Sequence, residues 1–260
     1  MKDTAVVKDT AVVILDYNNI FTKDDDNDIG DVQFVLSKII TEIISTYNDV
    51  KDIIIRAYGG WYDKNQLTNR GSLIQQKLSV IASSLFPVPN GNALVSGTLE
   101  LADHLFGVEG QWNNTYREKV GLPRLIPNRS VDRTECEKDN NKDICPINIL
   151  KKFSKKNNGN SQPKICRVAN CNNNSNAFNQ LGQKMVDGIM TCDILTYGED
   201  EMSKVIYILT DDVDLFPAVV LCSKKNRNVD LVLKIKNDVQ LTEYANYLHR
   251  FNSTIIIEKL

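Results

Sequence analysis

The chain has 260 residues, 42% of them hydrophobic and 25% charged, enough for one large α/β domain or for a domain carrying a sizeable insertion. A net charge of −2 and a pI near 5.8 exclude the general basicity of a protein that coats nucleic acid, so a polyanion would have to be met by local patches and bound cations. The sequence does not open on a basic stretch followed by an apolar run, and no window nears the ~18 apolar residues of a membrane helix, so a soluble, cytoplasmic protein with no membrane contact is expected.

The hexapeptide KDTAVV occurs at 2–7 and again at 8–13, and only the second copy runs on into Ile14, Leu15 and Asp16. One copy can feed a strand, and the other reads as a duplicated tail, far below the period of a repeat fold. Residues 11–15 form a continuous apolar run that stops at Asp16, as a strand buried on both faces does. Apolar residues at helical spacing over 32–47 predict a helix, DIIIRA at 52–57 predicts a second buried strand, and 71–85 predicts another helix. The first third therefore reads β-α-β-α, the opening of a doubly wound sheet.

From Pro87 to about 174 the pattern changes to prolines, asparagines and four of the six cysteines. A strand pair could lie within 92–106, but the stretch reads as an insertion outside the sheet core. The α/β pattern returns with a helix over 181–195, a strand at 205–209 (VIYIL), a helix at 216–223, a strand at 229–235, a helix at 241–251 and a last short strand at 254–257. The expected architecture is a mostly parallel sheet flanked by helices, spanning 8–260 and interrupted by an irregular Cys-containing insertion at 88–175.

In open α/β sheets, ligands bind outside the carboxyl ends of the strands. Two polar clusters fall there: Asp16-Tyr17-Asn18-Asn19 after the first strand, and Thr210-Asp211-Asp212-Val213-Asp214 after VIYIL. Lys184, Asp187 and Asp193 lie on the helix between them. Carboxylates gathered at one sheet edge repel unless a cation sits among them, and an all-oxygen donor set suits Mg²⁺ or Mn²⁺. Such an ion lowers the pKa of a bound water and neutralises charge on a phosphoryl transition state, which points to phosphodiester hydrolysis. The two histidines, His104 and His249, are far from these clusters in sequence, and no Walker loop or nucleophile elbow follows a strand. Asp211 could instead cap the helix beginning near Phe216.

Three segments in order, VVILDYNNIF, QKMVDGIMTCDIL and YILTDDVDLFPAV, resemble the motifs of NYN domains, which belong to the PIN-like nucleases. The resemblance implies a Rossmann-like sheet, a divalent-metal active site and ribonuclease activity on an RNA such as tRNA or mRNA. By position it implies Asp16, Asp187, Asp212 and Asp214 as metal carboxylates, Asn18 as a polar partner, and Asp193 and Thr210 as further motif residues. Lys184 could contact phosphate or orient a carboxylate. Residues 187 and 193 lie about 240° apart around an ideal helix, so they share a face only if the helix ends or bends between them. The third motif departs from the family at Leu215, where an aromatic usually stands; Phe216 follows one place late. A non-catalytic nucleic-acid-binding protein and a DNA nuclease are the alternative readings.

Within the insertion, Cys136, Cys145, Cys166 and Cys171 could make a four-thiolate zinc site, with free thiols as the alternative. Lys151, Lys152, Lys155 and Lys156 around Phe153 could follow a phosphate backbone or form a solvated face. Arg56, Tyr58 and Trp61, after the second strand, are candidates for phosphate contact and base stacking, with Trp61 equally able to cover the core. The oligomeric state is not readable from the sequence.

Overall fold

The computed structural model describes residues 9–21, 29–63, 66–108, 185–199, 203–226 and 228–260. All lie in one of the two compact units of the chain, residues 1–117 with 183–260. Strand β1 (Thr10–Asp16) is followed by the single turn α1 (Tyr17–Ile20), helix α2 (Ile29–Thr46) and β2 (Asp52–Tyr58). The short antiparallel pair β3 (Tyr62–Asp63) and β4 (Gln66–Leu67) leads into α3 (Asn69–Leu85), β5 (Val88–Asn90) and β6 (Ala93–Leu101). Helix α4 (Val186–Glu199), β7 (Ser203–Leu209), a 3₁₀ turn at Val213–Leu215 and α5 (Phe216–Lys225) come next. The chain ends with β8 (Asp230–Ile235), α6 (Asp238–His249) and β9 (Ile256–Lys259).

Seven strands form one sheet in the order β5-β6-β2-β1-β7-β8-β9. Every pairing in it is parallel except the β5–β6 hairpin. The mostly parallel α/β architecture expected from the strand–helix alternation is therefore present. Its cause is visible in β1, where every residue from Ala11 to Leu15 is fully buried. Ala11, Val13 and Leu15 face one apolar layer, against α2 and α3. Val12 and Ile14 face the other, against α4, α5 and α6. A strand covered on both faces needs apolar residues at both parities, hence the unbroken run.

The sequence placed the stretch from Pro87 to about 174 outside the sheet core, and here it needs correction. β5 and β6 belong to the sheet, and β6 pairs with β2 from Asp52↔Ser96 to Ala57↔Leu101. The segment 92–106 thus holds one long strand rather than a pair; the hairpin partner is Val88–Asn90. Its residues are largely exposed, so β6 lacks the apolar run that marks the central strands. The remainder of the expected insertion, beyond 108, lies outside the described residues.

Helices α4 and α5 approach closely at Gly198. A Cβ built there would collide with the Cys222 sulfur, and the Asn226 amide already donates to the Gly198 carbonyl. Overpacking of this kind typically costs about 1–3 kcal/mol. Gly198→Ala should lower the melting temperature, and adding Cys222→Ala should recover most of the loss. Equal melts for Gly198→Ala and the parent would refute this packing.

Candidate metal centre

The sheet order reverses next to β1: the chain leaves it for β2 and β6, then crosses back to β7 on its other side. Diverging connections at such a switch point open a crevice at the strand carboxyl ends. Asp16 ends β1 there, and Thr210 to Asp214 follow β7.

Thr210 is the hub that joins the two strands. It is fully buried, and its hydroxyl donates to Asp16 Oδ2 at 2.9 Å while accepting from the Asp212 backbone N–H at 3.0 Å. Asn19 Nδ2 donates to the same Asp16 oxygen at 3.0 Å. Asp212 then caps the 3₁₀ turn, its Oδ1 accepting from the Asp214 N–H at 2.9 Å. This cap fixes Asp214 beside Asp212. Leu215 and Phe216 turn inward, Phe216 meeting Tyr244 edge-on at 4.9 Å, so the displaced aromatic of the third motif serves as an anchor for α5.

Asp187 reaches the same place from the first turn of α4, where the helix dipole favours a carboxylate. One carboxylate oxygen from each of Asp187, Asp212 and Asp214 lies within 4.8 Å of the others. Opposed ligands of a Mg²⁺ ion stand about 4.2 Å apart, so these side chains could hold such an ion with small adjustments. Asp16, the fourth expected metal carboxylate, is not one of this group, although its charge interacts with that of Asp187.

The electrostatics reflect this crowding. Burial pushes the Asp16 carboxyl up, against hydrogen bonds from Asn19 and Thr210 that pull it down, and the Asp187 charge adds to the rise. Asp187 is also raised, first by desolvation and then by the charges of Asp212 and Asp214. Raised carboxyls make the folded chain bind protons more readily than the unfolded one. Without metal, their contribution to stability therefore grows as pH falls through the raised range and is lost as pH rises through it. Metal binding needs the ionised forms. Mn²⁺ at 100 times its Kd should stabilise the protein by about 2.7 kcal/mol at neutral pH, and the gain should fade as pH falls through that range. Thermal melts across pH with and without Mn²⁺ measure this; a Mn²⁺ shift that ignores pH would speak against carboxylate ligation.

Other sequence candidates lie elsewhere. Helix α4 is continuous from Val186 to Glu199, so Asp193 points away from Asp187 and into the protein. Its Oδ2 accepts from Arg56 Nη1 and from the Tyr58 hydroxyl, each at 2.6 Å, and its Oδ1 accepts from the Phe106 N–H at 2.9 Å. Arg56 also donates to the His104 carbonyl at 2.8 Å and has Nε 2.9 Å from Glu100 Oε1, an ion pair without hydrogen-bond alignment. Arg56, Tyr58 and Trp61 are all fully buried, which withdraws Arg56 and Tyr58 as candidates for nucleic-acid contact and leaves Trp61 in its alternative role of covering the core. Trp61 donates to the Ala57 carbonyl at 2.9 Å and lies against Gly59, where a Cβ would come within 2.6 Å of the indole.

Asp211 does not cap α5; its Oδ1 accepts from the Lys236 N–H at 2.7 Å and so braces the end of β8. His104 pairs with Asp103, and His249 bonds the Ile255 carbonyl at 3.0 Å. Asn18 stands in the α1 turn, where its Oδ1 accepts from Arg70 Nη1 at 2.5 Å. Lys184, the four cysteines Cys136, Cys145, Cys166 and Cys171, and Lys151, Lys152, Lys155 and Lys156 lie outside the described residues.

No family model, curated protein or solved structure matches the chain. Among the described residues no helix is long and apolar enough to cross a membrane.

Proposed function

We propose that the chain is a divalent-metal-dependent nuclease of the NYN/PIN-like kind that hydrolyses RNA phosphodiester bonds. The observation that carries this reading is the convergence of Asp187, Asp212 and Asp214 at the switch-point crevice, beside the buried Asp16. These side chains belong to segments far apart in sequence. Their mutual repulsion is a cost that a purely structural arrangement has no reason to keep.

Asp187, Asp212 and Asp214 would hold Mg²⁺ or Mn²⁺, and Asp16 would complete the negative field. Bound there, the ion supplies an activated water and neutralises charge on the phosphoryl group. Thr210 and Asn19 fix the Asp16 carboxylate, so the crevice keeps its shape during turnover. The Asp212 cap holds Asp214 in place through its backbone N–H. The preference for RNA over DNA rests on the three-motif resemblance.

Incubation of the purified protein with end-labelled tRNA, mRNA fragments and single-stranded DNA tests the reading. Cleavage with Mn²⁺, abolished by EDTA and strongest on RNA, is the expected result. Intact RNA and intact DNA at every metal concentration would overturn it, and cleavage of DNA alone would move the substrate to the alternative polymer.

A further inference from the structure

The flank formed by α5 and α6 carries a row of aromatic rings in contact. Phe216 and Tyr244 are buried and meet edge-on at 4.9 Å. Tyr247 stacks on Phe216 at 6.0 Å, and Phe251 stands tilted against Tyr247 at 5.3 Å. These last two rings are 47% and 45% exposed. The row starts at the loop of the candidate centre. Phe216 opens α5 directly after the 3₁₀ turn that holds Asp214. The Tyr244 hydroxyl donates to the Asp211 carbonyl at 3.3 Å; burial pushes it up, and the charges of Asp211, Glu243 and Asp212 add to the rise. The far end of the row is cationic. Lys224 Nζ lies 5.8 Å from the Phe251 ring centre, and Arg250 precedes that residue; both side chains are exposed. Glu199 pairs with Lys225, and Asp230 accepts from the Tyr47 hydroxyl, so neither Lys224 nor Arg250 forms an ion pair among the described residues. Phe251 and Lys224 also wall a cavity of about 630 Å³ with Asn226 and Asn252.

We propose that a single-stranded RNA held at the carboxylate centre runs on along this flank, stacking bases on Tyr247 and Phe251 and setting a phosphate against Lys224, an inference that rests on the nuclease reading for its choice of ligand. Every base has a π-face, so ring stacking holds a strand without reading its sequence. The buried Phe216 braces Tyr247 from beneath, and Tyr247 in turn supports Phe251, so the ledge loses little freedom when a strand binds. The cations answer a problem of charge. The chain carries a net −2 and its candidate centre is acidic, so a polyanion needs cations fixed away from the carboxylates. Unpaired cations beside exposed rings suit a nucleic acid better than an apolar protein face does.

Dependence on the bases separates a stacking ledge from a structural or protein-docking face. Binding of a labelled single-stranded RNA oligonucleotide, and of an abasic strand of equal length, would be followed by anisotropy with Ca²⁺ replacing Mn²⁺. Tyr247→Leu and Phe251→Leu keep apolar bulk and remove the ring. Each should weaken RNA binding about fivefold or more and leave abasic binding unchanged. Tyr247→Phe and Phe251→Tyr should bind like the parent, and Lys224→Gln should make the slope of log K against log salt shallower by about 0.7. Where a leucine variant does not fold, photocrosslinking of iodouridine-substituted RNA to the parent replaces it, with attachment at Tyr247 or Phe251 expected. A parent that cleaves RNA while the leucine variants bind it equally well, or whose crosslinks map only elsewhere, overturns the ledge and leaves the nuclease reading intact; a face kept for a protein partner gives that result. Equal losses of RNA and abasic binding in the leucine variants overturn the ledge as well. Ring-dependent binding with no cleavage at any metal concentration overturns the nuclease reading alone. A parent that binds neither RNA nor single-stranded DNA overturns both.

Discussion

Asp214→Asn should abolish most Mn²⁺-dependent cleavage while leaving the fold unharmed. The side chain is exposed, and its place in the 3₁₀ turn depends on its backbone N–H bonding to Asp212, which the substitution keeps. What is lost is one of three carboxylates that converge within 4.8 Å. Metal catalysis supplies several kcal/mol of transition-state charge stabilisation, and each ~1.36 kcal/mol is a factor of ten. A fall in kcat of about 100-fold or more is expected, with weaker Mn²⁺ binding and unchanged RNA affinity without metal. Because the Asp214 charge helps to raise Asp187, the variant should also let the Asp187 carboxyl titrate at lower pH. Wild-type turnover in Asp214→Asn would place the chemistry elsewhere.

Asp193→Asn should do the opposite: it should lose stability before it loses chemistry. The carboxylate is 1% exposed and is the centre of a buried set that holds Arg56, Tyr58 and the Phe106 N–H. Removing its charge leaves the guanidinium of Arg56 buried with, among the described residues, only the half-exposed Glu100 as counterion. Breaking one side of a buried pair costs about 3–5 kcal/mol. At about 2–4 °C per kcal/mol for a chain of this size, the melting temperature should fall by roughly 6–12 °C at the lower cost. Cleavage measured well below that temperature should stay close to the parent. A variant that melts like the parent but cannot cleave would restore Asp193 to the catalytic group that the motif resemblance gave it.

These two aspartates show which parts of the site could be read in advance. The sheet was legible because β1, β2, β7 and β8 are apolar at both parities, and β1, β7 and β8 run into polar residues at one edge. Asp16, Asp212 and Asp214 were legible because strand ends collect ligands in this architecture, whereas Asp187, in the first turn of α4, was singled out through the helix motif of the resemblance. Asp193 carried its own warning in the six-residue spacing from Asp187, which a continuous helix turns to another face. Arg56 looked available because a charged residue near a strand end is usually solvated; its partner stands 137 positions away, and no local pattern announces such a pair. Lys234 hides in the same way, buried between Glu42 and Glu258 at 2.7 and 2.6 Å. β6 was read as a strand but kept out of the sheet because an exposed strand next to prolines shows no apolar run.

The central claim is that these carboxylates hold a divalent cation, and the most direct measurement is anomalous diffraction from crystals grown with Mn²⁺. A strong peak within bonding distance of Asp187, Asp212 and Asp214 is the result expected. A peak that persists in Asp214→Asn at full height, or well-ordered carboxylates with no peak at millimolar Mn²⁺, would contradict it.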